Sequence, residues 1–167
     1  MDDIDPGRVK GFSFTAFKGN TICCHMVVAK VDPHTGQIEI RRYVAAHDIG
    51  KAINPRAIEG QIEGGVSMGL GYALMEELRM DENGALLNPN FHDYKIPTSM
   101  DVPETEPLIV EVPASYGPHG AKGLGEPTIA PPAAALANAI FDAIGVRMNK
   151  TPMTPEKLAG EISKQLQ

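Results

Sequence analysis

One stretch concentrates the ingredients of a reactive site: YGPHGAKGLGEP at residues 116–127. Gly117, Gly120, Gly123 and Gly125 lead to a single carboxylate, Glu126, placed directly before Pro127 and an alanine-rich run. Glycine permits positive φ and lets a backbone approach a ligand closely, and a helix start offers unpaired N–H groups beside it. A close-approach loop presenting a single acid at a helix entrance is a place suited to catalysis. The same description equally fits a surface loop whose acid is stabilised by the neighbouring helix N-terminus. A phosphate loop is a poor match. The P-loop needs Gly, four residues, then Gly-Lys and a Ser or Thr, whereas Lys122 follows Gly120 by two and is followed by Gly123. The Gly-x-Gly-x-x-Gly dinucleotide fingerprint is absent from the loop, and no buried apolar strand runs straight into it.

The elements that must hold this loop can be read along the chain. Residues 9–17 suggest a strand with Phe12, Phe14 and Ala16 on one side. Residues 21–31 form a second strand, closed by Asp32-Pro-His-Thr-Gly36, whose Pro and Gly suit a hairpin turn. Residues 37–45 return as a strand with Ile38 and Ile40 on one face and Glu39 and Arg41 on the other. Asn54-Pro55 is a helix start, an N-cap followed by proline at the first helical position. The helix it opens runs to about residue 78, with Ile58, Ile62, Val66, Leu70 and Leu74 at helical spacing. It also carries Gly60, Gly64, Gly65, Gly69 and Gly71, each costing about 1 kcal/mol relative to Ala. Small residues on a helix permit close approach by another backbone or by a flat cofactor, and Gln61 is the polar group set among them. After a turn at 81–84 comes a proline-punctuated extended segment to Pro113, strand-like at 108–112. Residues 131–144 read as a helix stopped by Gly145, and a last short helix spans 156–166.

Composition bounds the rest. With 167 residues, the chain suits a single domain, 1–167. Its 43% apolar and 22% charged content are those of a globular protein, and a net charge of −6 argues against nucleic acid or an anionic membrane as partner. Cys23 and Cys24 are adjacent, a geometry that strains a disulfide, and read as small hydrophobes of a reducing cytoplasm. The five histidines, His25, His34, His47, His92 and His119, are too dispersed for a metal site evident in sequence, and most read as surface or turn residues, with His119 inside the loop. The acidic start, MDDIDPG, is not a signal peptide, and the apolar run 64–75 is too short to span a bilayer.

Taken together, HDIGKAINP (47–55) running into EGQIEGG (59–65), DYKIP (93–97) and GAKGLGEP (120–127) resemble one family. They are similar to the C-terminal part of the molybdenum-binding (molybdopterin) large subunit of the xanthine dehydrogenase/aldehyde oxidase, or molybdenum hydroxylase, family. NAIFDAIGVR (138–147) and TPMTP (151–155) fit the same pattern, so the resemblance covers roughly residues 10–160.

The resemblance implies an α+β fold: a β-hairpin and mixed sheet packed with a glycine-rich, cofactor-facing helix and C-terminal helices. It implies oxidative hydroxylation of an N-heterocycle such as a purine, or of an aldehyde, with water-derived oxygen. Glu126 would be the general base, and Gln61, Gly60, Gly64, Lys122, Gly123, Leu124 and Gly125 would border a molybdenum–pterin cofactor, as such or as its cytosine dinucleotide. No residue need ligate the metal. The partners implied are the rest of the large subunit, an iron–sulfur subunit and an FAD subunit, besides a small-molecule substrate. The family's large subunit is several times longer, so a chain of this length would be a separately encoded or truncated portion completing a composite site, inactive by itself, with low stability or self-association when alone. The rival expectations are a non-catalytic assembly fragment and a stand-alone nucleotide-binding domain.

Overall fold

The computed structural model describes residues 8–17 and 21–165, with side-chain surroundings from residue 21 onward. Strands β1 (Arg8–Phe17), β2 (Thr21–Val31) and β3 (Ile38–Asp48) form an antiparallel meander, and β4 (Thr105–Val110) adds to β3 in parallel, giving the order β1-β2-β3-β4. The expected strands are present, with β3 running three residues further than its alternation suggested. The facing of Phe12, Phe14 and Ala16 lies outside the described side chains.

The hairpin between β2 and β3 turns where its residues dictate. The Asp32 carboxylate accepts from the N–H groups of His34 (2.8 Å) and Thr35 (3.3 Å), the self-capping that makes Asp a turn residue. Along β2 every second residue is buried. Val27, Ala29 and Val31 meet Tyr43 and Ala45 of β3 in the core.

Helix α1 (Pro55–Leu74) begins where predicted: Asn54 Oδ1 accepts from Ala57 N at 3.2 Å, and Pro55 occupies the first turn. Ile62, Val66 and Leu70 are buried from this helix, with Ile58 and Leu74 packed beside them. It ends at Leu74, short of residue 78. Met75 leaves helical geometry at φ −143, and the Gly71 carbonyl takes both the Met75 and Glu76 N–H groups. Glu76 then bonds Tyr94 Oη at 2.7 Å, and Met153 N donates to Ala73 O. Tertiary partners in DYKIP and in residues 151–155 therefore compete successfully with further helical turns.

Helix α2 (Pro131–Ile144) matches its predicted span and lies across β1 and β2, burying Ala135, Leu136, Ala139 and Ile140. Helix α3 (Pro155–Gln165) contributes Leu158 to the same core. Both cysteines are free thiols, Cys23 buried and Cys24 half-buried. No described helix is long and apolar enough to cross a membrane.

Candidate functional site

The glycine loop folds as two single 3₁₀ turns, Pro118–Gly120 and Glu126–Thr128, separated by an extended stretch and followed by α2. Its backbone is fastened at several points. Gly120 O accepts from Lys51 N (3.2 Å) and Ala114 N (2.9 Å), and Lys122 N donates to Ile49 O at 2.9 Å. Thr21 Oγ1 donates to Gly123 O at 3.2 Å, and the buried Cys23 thiol donates to Pro127 O at 3.6 Å. Gly50, at φ +68, lies so close to the loop that an added Cβ would stand 2.1 Å from Gly120 O. Only a residue without a side chain fits there.

Gln61 connects the loop to α1. Its Nε2 donates to Gly125 O at 3.0 Å, an oxygen that also takes the Thr128 hydroxyl at 3.3 Å. Gln61 and Glu126, predicted from separate motifs, thus lie at one place. Glu126 is exposed at the head of its 3₁₀ turn, its own carbonyl accepting from Ile129 N at 3.1 Å. Among the described residues its carboxylate makes no hydrogen bond or ion pair. The closed pocket that would surround a base is not built by this chain's described residues alone. His119 is also exposed, with a left-handed backbone at φ 55.

The glycines of α1 divide into two groups. A Cβ on Gly65 would stand 1.9 Å from Thr128 Oγ1, on Gly69 2.6 Å from Pro132 Cγ, and on Gly71 2.3 Å from Glu76 Oε1. These three serve close packing within the chain, the first of the two uses that small residues on a helix allow. Gly60 and Gly64 are different: no atom lies within 4 Å of an added Cβ. The same holds for Gly123 and Gly125, none of the four having a positive φ. Neither backbone conformation nor internal packing accounts for these four, and all lie exposed beside Gln61 and Glu126. They leave a strip of bare backbone that a flat, polar group can approach, so the residues present fit a pterin-type cofactor. Leu124, half-buried, joins Ile49, Ile53, Ala57, Gln61 and Lys122 around an adjoining cavity of 230 Å³. A larger cavity of 660 Å³ opens elsewhere, between Ile38, Leu74, Lys95, Asp101 and Met153, and holds no predicted site residue.

Lys122 turns its ammonium inward to Asp48 Oδ2 at 2.6 Å, so it faces a bound group with its backbone. The Asp48 carboxyl is held below its ordinary value: burial pushes it up, but the Lys122 bond and the N–H groups of Gly50 and Val112 outweigh that. Asp48 was not among the predicted residues, although its place inside HDIGKAINP was a signal.

The histidines divide as well. His34, His92 and His119 are exposed as expected, but His25 and His47 are fully buried. His25 Nδ1 lies 2.8 Å from Tyr43 Oη, and its Nε2 lies 2.8 Å from His47 Nε2. With the Tyr43 hydroxyl donating to His25, and His25 Nε2–H donating to His47, only the His47 Nδ1–H is left unpartnered. Burial, then the neighbouring His47, lowers His25 to about 3, and burial lowers His47 to about 4. Both therefore stand neutral at pH 7. For His25 the signal was its parity with Cys23, Val27 and Ala29 on β2, whereas His47 shares the parity of Glu39 and Arg41 and is turned inward by the register shift opposite Val28 and Ala29. Among the described residues no cluster of three or more His, Cys, Asp or Glu could hold a metal ion.

Residues 4–103 match the family model described as a molybdopterin cofactor-binding domain. The xanthine dehydrogenase molybdenum-binding subunit of Escherichia coli O157:H7 is 43% identical over 139 residues, which make up 83% of this chain and 18% of that subunit. The aldehyde oxidoreductase molybdenum-binding subunit PaoC of Escherichia coli K12 is 34% identical over 148 residues, 87% of this chain and 20% of the relative. The crystal structure of quinoline 2-oxidoreductase from Pseudomonas putida 86 superposes with a TM-score of 0.82 at 33% identity, covering 86% of this chain and 19% of that one. The chain thus spans 18% to 20% of the length of these relatives.

Proposed function

The chain belongs to the molybdopterin cofactor-binding domain family, the molybdenum-binding large-subunit fold of the xanthine dehydrogenases and aldehyde oxidoreductases, and from that membership we propose that it supplies the general base and one wall of the pterin pocket to a molybdenum hydroxylase. The observation that carries this is the Gln61–Gly125 hydrogen bond, which brings the bare backbone of Gly60 and Gly64 beside that of Gly123 and Gly125, next to Glu126.

Gln61, Gly60, Gly64, Gly123, Leu124, Gly125 and the backbone of Lys122 would hold the cofactor. When bound, that group supplies the two-electron oxidant for hydroxylation with oxygen drawn from water. Glu126 accepts a proton on its carboxylate from the water-derived nucleophile, and the loop glycines let that carboxylate reach its partner with no Cβ in the way. A base works best when its pKa approaches the operating pH, and desolvation raises a carboxylate's. Glu126 is exposed here, so its desolvation falls to the remaining large-subunit polypeptide, which closes the site over it. The assembled enzyme is cytoplasmic, with iron–sulfur and FAD subunits carrying electrons away and residues 1–167 acting as a single domain within it. Xanthine and quinoline, named in the relatives, are N-heterocycles, so a purine-like heterocycle is the first substrate class and an aldehyde the second.

The test is Glu126→Gln in the molybdenum-containing assembly purified from its host. Turnover should fall by at least about 100-fold while the molybdenum content stays at the unsubstituted level. Undiminished turnover removes the base assignment.

A further inference from the structure

The carboxylate of Asp48, at the end of β3, gathers three segments of the chain. Its Oδ1 accepts from Gly50 N (3.0 Å) in the turn that follows and from Val112 N (3.2 Å) just beyond β4. Its Oδ2 accepts from Lys122 Nζ at 2.6 Å, in the loop that ends at Glu126. The ion pair is enclosed, with 5% of the Lys122 side chain and 12% of the Asp48 side chain exposed. Lys51–Glu111 (52% and 38%) and Lys157–Glu77 (40% and 42%) are open to water. Open pairs contribute little, whereas removing one partner of an enclosed pair leaves a stranded charge and is strongly felt.

Beyond Lys122 the loop runs Gly123, Leu124, Gly125 and then Glu126. The two glycines have empty space around them, and their carbonyls accept from Thr21 Oγ1 at Gly123 and from Gln61 Nε2 at Gly125. Besides these bonds, the stretch carrying Glu126 has an anchor at each end. One is the 3₁₀ turn leading into α2, and the other is Lys122. Backbone bonds from Lys122 N to Ile49 O and from Lys51 N to Gly120 O lie alongside the second anchor. The ammonium held from below adds a side-chain tether to the backbone bond of Lys122 N, and the chain leaves this doubly held residue for Gly123.

We propose that Asp48 is a positioning residue for Glu126, acting through the enclosed Lys122 ammonium and holding the loop by its N-terminal end. The role rests on Glu126 being the base, but the experiments below are read without turnover, so the two assignments fail separately.

Asp48→Asn retains an oxygen for the Gly50 and Val112 N–H groups and places an amide against the ammonium, so it breaks the Lys122 arm selectively. Hydrogen exchange followed by mass spectrometry should show the amides of Gly120, Ala121 and Lys122 exchanging at least about tenfold faster, with β2 and β3 unchanged. Lys122→Met should do the same. The double variant, with no stranded charge, should regain the thermal midpoint but not the loop protection. Protection returning together with the midpoint would mean that the pair serves stability alone and would overturn the proposal. So would unaltered loop exchange in both single variants. If neither single variant folds, the unsubstituted protein decides. With an amine-acylating reagent, Lys122 should react at least about tenfold more slowly than Lys164, whose side chain is 70% exposed. Equal rates would overturn the lock.

Discussion

His25 and His47 face each other across β2 and β3 with their Nε2 atoms 2.8 Å apart, and both imidazoles are held below the ordinary value by burial. In the unfolded chain they protonate near pH 6.5, but in the folded chain only at about 3 and about 4. Between those limits the unfolded state binds more protons, so stability is full above about pH 6.5 and declines as the pH falls. Urea midpoints measured from pH 7.5 to 4.5 should fall by the equivalent of about 1–3 kcal/mol, beginning above the carboxylate range. His47→Phe should remove part of that slope, and a flat profile down to pH 5 would discard the account. Glu126, the proposed base, and Gln61 were legible as residues because their motifs are contiguous. The imidazole pair and the Asp48–Lys122 lock were not. Each depends on residues brought together from separate segments, 74 positions apart for Asp48 and Lys122.

At the level of elements, α1 sets two kinds of glycine side by side. Gly65→Ala drives a methyl group into Thr128, which is 1% exposed and has no room to retreat, and should destabilise the chain by about 1–3 kcal/mol. Gly64→Ala, one residue away, meets nothing and should stabilise it by about 0.5–1 kcal/mol through helix propensity. In the proposed assembly the same Gly64→Ala change should lower the molybdenum content. Paired thermal melts and metal analysis check both. Equal destabilisation by the two substitutions would contradict the division. The sequence displayed the helix, its Asn54 cap and its buried stripe, because capping and 3.6-residue periodicity are local. It did not separate the two kinds of glycine or place the helix end, because the first depends on Thr128, Pro132 and Pro97 and the second on Tyr94 and Met153, residues distant in the chain.

Across the whole molecule, the segment between α1 and β4 is shaped by turns rather than by a core. Asn88 ties Arg79 N and Glu77 O together, and Asp101 takes both the N–H and hydroxyl of Thr98. Phe91 is left 80% and Met100 91% exposed, the kind of apolar surface that large assemblies cover. The sheet also carries a history in its connectivity. In the meander of β1, β2 and β3 each strand pairs with its neighbour in sequence, but the parallel pairing of β4 brings residue 105 to residue 43 across the whole of α1 and the segment after it. Loop-closure entropy places such a pairing late. Ile109→Ala in β4 should therefore quicken unfolding while leaving the folding rate nearly unchanged, which stopped-flow kinetics measures directly. A proportionate slowing of folding would place β4 in the nucleus instead. Val112, which donates to Asp48, lies just beyond β4, so a late pairing of β4 would make the scaffold under the glycine loop late to assemble as well. On a nascent polypeptide, competence to receive a cofactor would then arrive as the closing step of folding, and a partly folded chain would offer no site to load.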